Sequence, residues 1–347
     1  MKRKSIFHVF AISLSILGCS KSTERPANTT SYNDIYIAGS EDGSIGPGYS
    51  IAKYWKSGVP VELTDGTNAA EALDIFVTDN NDIYVAGYEE NNNHKGIAKY
   101  WKNGIAVNLT DGVSYAEAYS IFVAGNDIYV AGFASNPTGQ SVARYWKNGI
   151  ATDLTNGMYE AQAYGIAVSG TDVYVCGYEI NPAGLNVAKY WKNGAPVSLG
   201  DGLTDTHTSA ISISGNDVFV SGSESSSVAA TFSVRYWKNG ITNNLPSGTE
   251  DADALGMTID GSDLYIAGYD NLATPDNNAV YWKNGTQVVL APKSDAFGIA
   301  VKGGDVIVAG ETYSATGINT AKYWKNGTAV SLTNGSKDAY ANAVFLK

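Results

Sequence analysis

Cysteine is scarce in this sequence: two residues in 347, Cys19 and Cys176, allow one disulfide at most. Histidine is nearly as rare. His8, His94 and His207 share no local motif, and no His or Cys cluster has the spacing of a zinc site. Basic residues are outnumbered, 23 Lys and Arg against 34 Asp and Glu, and a net charge of −11 excludes the positive footprint that phosphate backbones require. The arginines are dispersed, so no cluster exists to hold a substrate carboxylate. No Asp-x-Asp-x-Asp-Gly calcium loop occurs, and no apolar run reaches the roughly 20 residues of a membrane-spanning helix. After the N-terminal segment the 3.6-residue period of amphipathic helices is missing altogether. These absences leave an acidic, β-rich chain with 38 glycines, 23 tyrosines and seven tryptophans.

The N-terminus reads as a targeting segment. "MKRK" supplies a positive start and "SIFHVFAISLSIL" a short apolar run. Ile16-Leu17-Gly18-Cys19 then resembles the bacterial lipobox, whose cysteine is acylated and becomes the new N-terminus. The resemblance implies a signal peptide over 1–18, lipid on Cys19, and attachment to a membrane of the cell envelope. Ser20 after that cysteine implies the outer membrane. The polar, breaker-rich stretch 19–33 is expected to be a tether. With Cys19 lipidated, Cys176 stands alone inside the apolar "DVYVCG" and is expected to be a small buried hydrophobe.

Repeats organise the rest. "YWKSG" or "YWKNG" recurs at 54, 100, 145, 190, 236, 281 and 323, and these copies hold every tryptophan. An Asp-led alternating strand with a closing glycine keeps step: "DIYIAG" at 34, "DIYVAG" at 82 and 127, "DVYVCG" at 172, "DVFVSG" at 217, "DLYIAG" at 263 and "DVIVAG" at 305. A third element precedes it, as in "AYSIFV" at 118 and "AYGIAV" at 163, and its seventh copy is the tail "ANAVFL" at 341. Each unit therefore holds four short strands, A ("AYSIFV"), B ("DIYVAG"), C ("AKYWK") and D ("AVNLT"). "NG" between C and D is strong two-residue hairpin chemistry.

Seven four-stranded antiparallel units of this length predict an all-β, seven-bladed β-propeller over 34–347. The first unit opens at strand B and the last fragment is a strand A, so the tail is expected to complete the first blade and close the ring. In strand A the first and third positions are small in most copies (Ala163 and Gly165, Ala296 and Gly298), while the second, fourth and sixth are large. A large face can then pack on the small face of the next blade. The strand-B motif and the strand order resemble those of kelch repeats, which implies a kelch-like propeller and no particular activity.

Repeated residues point to structure. Pairing Gly87 with Ile97 would set Asp82 opposite Lys102 and Asp127 opposite Lys147, as cross-strand ion pairs. The Tyr-Trp pairs are expected to pack blades. Function should lie where the units differ. The B–C and D–A loops emerge at one end of the ring, opposite the tight A–B and C–D turns, and loops on a rigid scaffold carry binding. Two residues after the strand-B glycine stand Glu41, Glu89, Glu179, Glu224 and Asp270, often preceded by an aromatic: Tyr88, Phe133, Tyr178 or Tyr269. These nine are the binding candidates, and the D–A segments add Glu71, Glu117, Asp253 and Asp295. His94 and His207 read as surface loop residues. The sequence thus predicts a monomeric, lipid-anchored interaction module for a glycan, peptide or protein, with no cofactor or metal and no nucleic-acid partner. Its rival is a carbohydrate-active enzyme using carboxylates of the same face.

Overall fold

The computed structural model describes residues 34–43, 48–225, 231–247, 251–271 and 276–347. Residues 1–33, read from the sequence as signal peptide and tether, with Cys19, lie outside the described residues. Twenty-eight strands form seven four-stranded antiparallel sheets, and no helix occurs among the described residues. Blade 1 is composite: Ala339–Leu346 lies beside Ile35–Asp42, followed by Ser50–Lys56 and Val59–Glu62. Blade 2 comprises Ala70–Val77, Ile83–Glu90, Gly96–Lys102 and Ile105–Asn108. Blades 3 to 7 repeat the pattern over 116–153, 161–198, 206–244, 252–292 and 294–331. The A strands touch in sequence around the whole ring, the last against the first. The tail closes the propeller.

Burial grades outward. Strand A is buried almost throughout and strand D is mostly exposed, so the A strands surround the axis. All seven tryptophans are 1% exposed, wedged between blades as their repetition predicted. The small third position of strand A works as expected. A Cβ on Gly165 would meet Ile211 of the next blade at 3.3 Å, and one on Gly298 would meet the Ala343 backbone at 2.9 Å. Cys176 is fully buried, and burial pushes its thiol up to about 12. It is the inert hydrophobe foreseen.

Two features depart from the simple alternation. Every strand A carries a β-bulge at its second position. The bulge explains the strand-B glycine: a Cβ on Gly87 would sit 1.9 Å from the Glu71 carbonyl oxygen, and one on Gly132 2.0 Å from that of Glu117. The third position of blade 2 is not small but is Asp74, fully buried. It accepts hydrogen bonds from the backbone N–H of Ile75 (2.8 Å) and Ile121 (2.9 Å) and from Ser120 Oγ (3.0 Å), which ties blade 2 to blade 3. Burial holds its pKa well above the ordinary carboxylate range.

The B–C register is two residues from the one expected. Gly87 pairs with Lys99, and Lys102 faces Tyr84. The cause is the loop, where the Asn91 side-chain oxygen accepts from the N–H of Asn93 and Lys95 and draws the turn tight. The ion pairs form all the same, diagonally. Lys102 reaches Asp82 at 3.1 Å and Lys147 reaches Asp127 at 2.8 Å, each lysine lying over a tyrosine ring. The turn asparagines join in: Asn148, at φ 51°, donates to Asp127 at 2.8 Å. One end of the propeller is thus closed by repeated Asp–Lys–Asn groups.

Candidate functional site

At the opposite end the bulges decide the geometry. A bulged residue leaves the strict alternation, and Leu73, Tyr119, Tyr164, Leu255 and Phe297, from five different blades, converge in one buried cluster. Side chains from blades so far apart can meet only at the axis. Tyr88, Tyr115, Tyr178 and Tyr269 pack around this plug, and Phe133 belongs to it at 4% exposure. The aromatic candidates therefore stand at the channel mouth instead of on loop tips. Glu71, Glu117, Gln162 and Asp253, one residue before each strand-A motif, face Tyr88, Phe133, Tyr178 and Tyr269 across the A–B ladder.

The structure places the candidate carboxylates differently. Glu41 pairs with Lys53 (2.6 Å), Glu89 with Lys99 (2.5 Å), Glu179 with Lys189 and Glu224 with Arg235. In each case the base lies on strand C, diagonally across the hairpin. Lys53 and Lys99 are buried, and an ammonium in such a place requires its carboxylate. Asp270 is fully buried and accepts from Gln287 Nε2 at 2.5 Å. In blade 3, Ala134 occupies the acid's position, and Arg144 turns instead to Asp153 at 2.9 Å. These five acids act within their own blades, whereas the aromatics share one centre.

Between blades 2, 3 and 4 the mouth opens into a depression of about 340 Å³. Six aromatic rings line it: Tyr88, Tyr115, Tyr119, Phe133, Tyr164 and Tyr178. Five of them, all but Tyr88, form a continuous wall. Tyr115 stacks on Phe133 (6.1 Å, 27°), Tyr119 meets Phe133 at 5.8 Å and Tyr164 at 5.1 Å, and Tyr164 meets Tyr178 at 5.8 Å. The polar lining is Glu71, Glu117 and Gln162. Tyr115 donates to Glu117 at 2.6 Å, and Tyr164 donates to the Gln162 side-chain oxygen at 2.8 Å. Burial, then Glu71 and Glu117, hold the Tyr88 hydroxyl far above its ordinary range, and burial with Glu117 does the same for Tyr115. Tyr178, raised mainly by burial, is pushed up to about 12.

No family model and no curated protein matches the sequence. Solved structures do. Over 90% of this chain and 67% of the other, it resembles TolB from Acinetobacter baumannii, with 10% identity and a TM-score of 0.52. The β-propeller domain of the Trilobed protease from Pyrococcus furiosus, described as having an open velcro topology, matches at 10% identity and a TM-score of 0.55, over 88% of this chain and 93% of that one. A puromycin-hydrolyzing peptidase of Mycobacterium tuberculosis matches at 12% identity and a TM-score of 0.57, over 88% of this chain and 52% of its own. The likeness is one of fold.

Elsewhere on the same end, His94 is exposed and lies 3.2 Å from Glu90. His207 corrects the sequence reading: it belongs to strand A of blade 5 and is held between Tyr178 (6.2 Å) and Phe232 (5.5 Å), where burial lowers its pKa. Glu311, at the strand-B position of Tyr88, is 4% exposed, and its Oε2 has no hydrogen bond. Burial, then Asp295, raise its pKa well above normal. A larger hollow, about 470 Å³, lies between blades 2 and 3, but its lining holds a single aromatic residue, Trp146, beside the already paired Arg144 and lacks the convergent rings. No group of three His, Cys, Asp or Glu among the described residues is arranged to hold a metal ion. Sequence reasoning missed Tyr115, Tyr119 and Tyr164; the signal for Tyr119 and Tyr164 was present as the large second position of strand A, whereas Tyr115 lies just before its strand.

Proposed function

We propose that the chain is a lipid-anchored binding module of the cell envelope that holds a glycan, peptide or protein ligand over its channel mouth. The aromatic depression carries this reading, because concave sites with a few convergent polar groups are where propeller loops and axis can jointly grip a ligand. Exposed Val113, Met158 and Leu203, on successive D–A loops of the same end, add apolar surface for a large partner. Cys19 carries the anchor by its resemblance to the lipobox. Radiolabelled palmitate should enter the wild-type chain and fail to enter Cys19→Ala.

The test of binding is a glycan and peptide array probed with the full-length chain, with calcium and again with chelator. Tyr115→Ala and Tyr178→Ala should each weaken whatever binds, and Lys102→Ala and Lys147→Ala should not. The reverse pattern places the site on the wrong end. Glu311 favours a second reading, a carbohydrate-active enzyme, since a buried carboxyl with a raised pKa has the character of a general acid. Polysaccharide turnover abolished by Glu311→Gln alone would establish it.

A further inference from the structure

An asparagine followed by glycine is chemically labile, because a glycine without a side chain lets its own backbone nitrogen reach the asparagine side-chain carbonyl. Eight such pairs occur in the chain. Six occupy the C–D turns, at Asn103, Asn148, Asn193, Asn239, Asn284 and Asn326, and two lie in D–A connections, at Asn156 and Asn334. All eight asparagines are exposed, so exposure does not separate them. Hydrogen bonding does. In every C–D turn the carboxamide is clamped at both ends onto strand B. The Asn148 oxygen accepts from the Ile128 N–H at 2.9 Å while its Nδ2 donates to Asp127 at 2.8 Å, and the same two bonds recur in the other five turns. Asp127 is in turn held by Lys147. The two D–A asparagines lack this clamp. The Asn156 oxygen accepts from the Met158 N–H at 2.9 Å and the Asn334 oxygen from the Ser336 N–H at 3.0 Å, and neither Nδ2 makes a hydrogen bond among the described residues.

The fold also accommodates the product. In three sister connections the same position is already aspartate: Asp65, Asp111 and Asp201 accept from the N–H two residues on at 2.9, 3.0 and 2.8 Å. The glycine that follows keeps φ between 71° and 76° in all five of these loops. We propose that Asn334 and Asn156 are sites of deamidation, and that the Asp–Lys–Asn groups protect the six C–D asparagines. The Gly335 or Gly157 nitrogen, on losing its proton to hydroxide, bonds to the side-chain carbonyl carbon of the preceding asparagine. The bond from that carbon to Nδ2 breaks and ammonia leaves; water then opens the succinimide to aspartate or isoaspartate. One water is consumed and one ammonia released, with no change of oxidation state. Gly335 is partly exposed and Gly157 is buried, so hydroxide reaches Gly335 more readily and Asn334 converts first. Each conversion adds a negative charge at the end of the ring that bears the aromatic depression.

Peptide mapping by mass spectrometry tests this on the full-length chain, aged at mildly alkaline pH both folded and unfolded in urea. In the unfolded chain all eight asparagines should convert at comparable rates. In the folded chain Asn334, and after it Asn156, should convert at least about ten-fold faster than any C–D asparagine, since releasing a C–D carboxamide first breaks a hydrogen bond to a charged acceptor, which is worth about that factor. Asp127→Ala removes the acceptor from one exposed pair. It should speed conversion of Asn148 by a similar factor while Asn103 and Asn193, whose own aspartates are intact, stay protected. Folded-state conversion of Asn334 and Asn156 no faster than that of the C–D asparagines overturns the inference, and so does an Asn148 rate that Asp127→Ala leaves unmoved.

Discussion

Removing Ala341 to Lys347 should open the propeller. The deletion takes out most of strand A of blade 1, whose Val344, Phe345 and Leu346 are 2%, 8% and 8% exposed. At roughly 1.5–3 kcal/mol for each large apolar side chain returned to water, these three residues contribute on the order of 5–9 kcal/mol. That rivals the whole stability of a typical domain, about 5–15 kcal/mol. Further contacts go with them. Phe345 packs tilted against Phe76, ring centres 5.2 Å apart, Asn342 donates to the Ala72 carbonyl at 3.0 Å, and the Lys347 ammonium donates to the carbonyls of Thr78 and Asp79 at 2.8 Å each. The strand Ile35–Asp42 would be left with an unpaired edge, a template for association with other chains. Size-exclusion chromatography with light scattering, followed by thermal melting, should find the truncated chain aggregated or melting far below the full-length protein. Adding the peptide of residues 338–347 should recover soluble monomer, because it supplies the missing strand. A monomeric truncation with an unchanged melting temperature would refute closure by the tail.

Gly87→Ala should destabilise by at least about 2 kcal/mol in denaturant titration, since its Cβ would meet the Glu71 carbonyl at 1.9 Å and the bulge would have to shift; an unperturbed midpoint would show that the bulge is pliant. Glu89→Gln strands the buried Lys99 ammonium and should cost roughly 3–5 kcal/mol, whereas Asp82→Asn, at an exposed pair, should change stability little; equal effects would contradict the difference in burial. Asp253 is buried beside Ser223 and Asp251, and burial pushes its carboxyl up to about 7 despite the bond from the Ala254 N–H at 2.8 Å. Between 3.8 and about 7 it holds its proton when folded and loses it when unfolded, so stability should fall as pH rises through that window. The displacement corresponds to roughly 4 kcal/mol at most, and Asp253→Asn should flatten the profile; a variant that keeps the full slope refutes the assignment.

The fold was legible because its causes are local and repeated seven times. Alternation within "DIYVAG", positive-φ asparagine and glycine in "NG", and buried tryptophan in every unit each fix a strand or turn without reference to distant residues. The complementary fragments at 34 and 341 even announced the closing pair. The site resisted the same treatment. Glu89 and its counterparts looked like an acidic face because the linear sequence does not show that strand C offers Lys99 diagonally across the hairpin. The charge of Glu89 is neutralised through a register that the Asn91 loop, not the strand pattern, sets. Tyr119 and Tyr164 looked like ordinary interblade residues until the bulge turned them toward the axis, where rings 45 residues apart in sequence come within 5.1 Å. By itself the sequence determined the strands, their order and the number of blades, which depend on short-range propensity and periodicity. Tertiary structure alone decided which side chains share the channel mouth, because convergence at an axis is a property of the closed ring and of no single repeat.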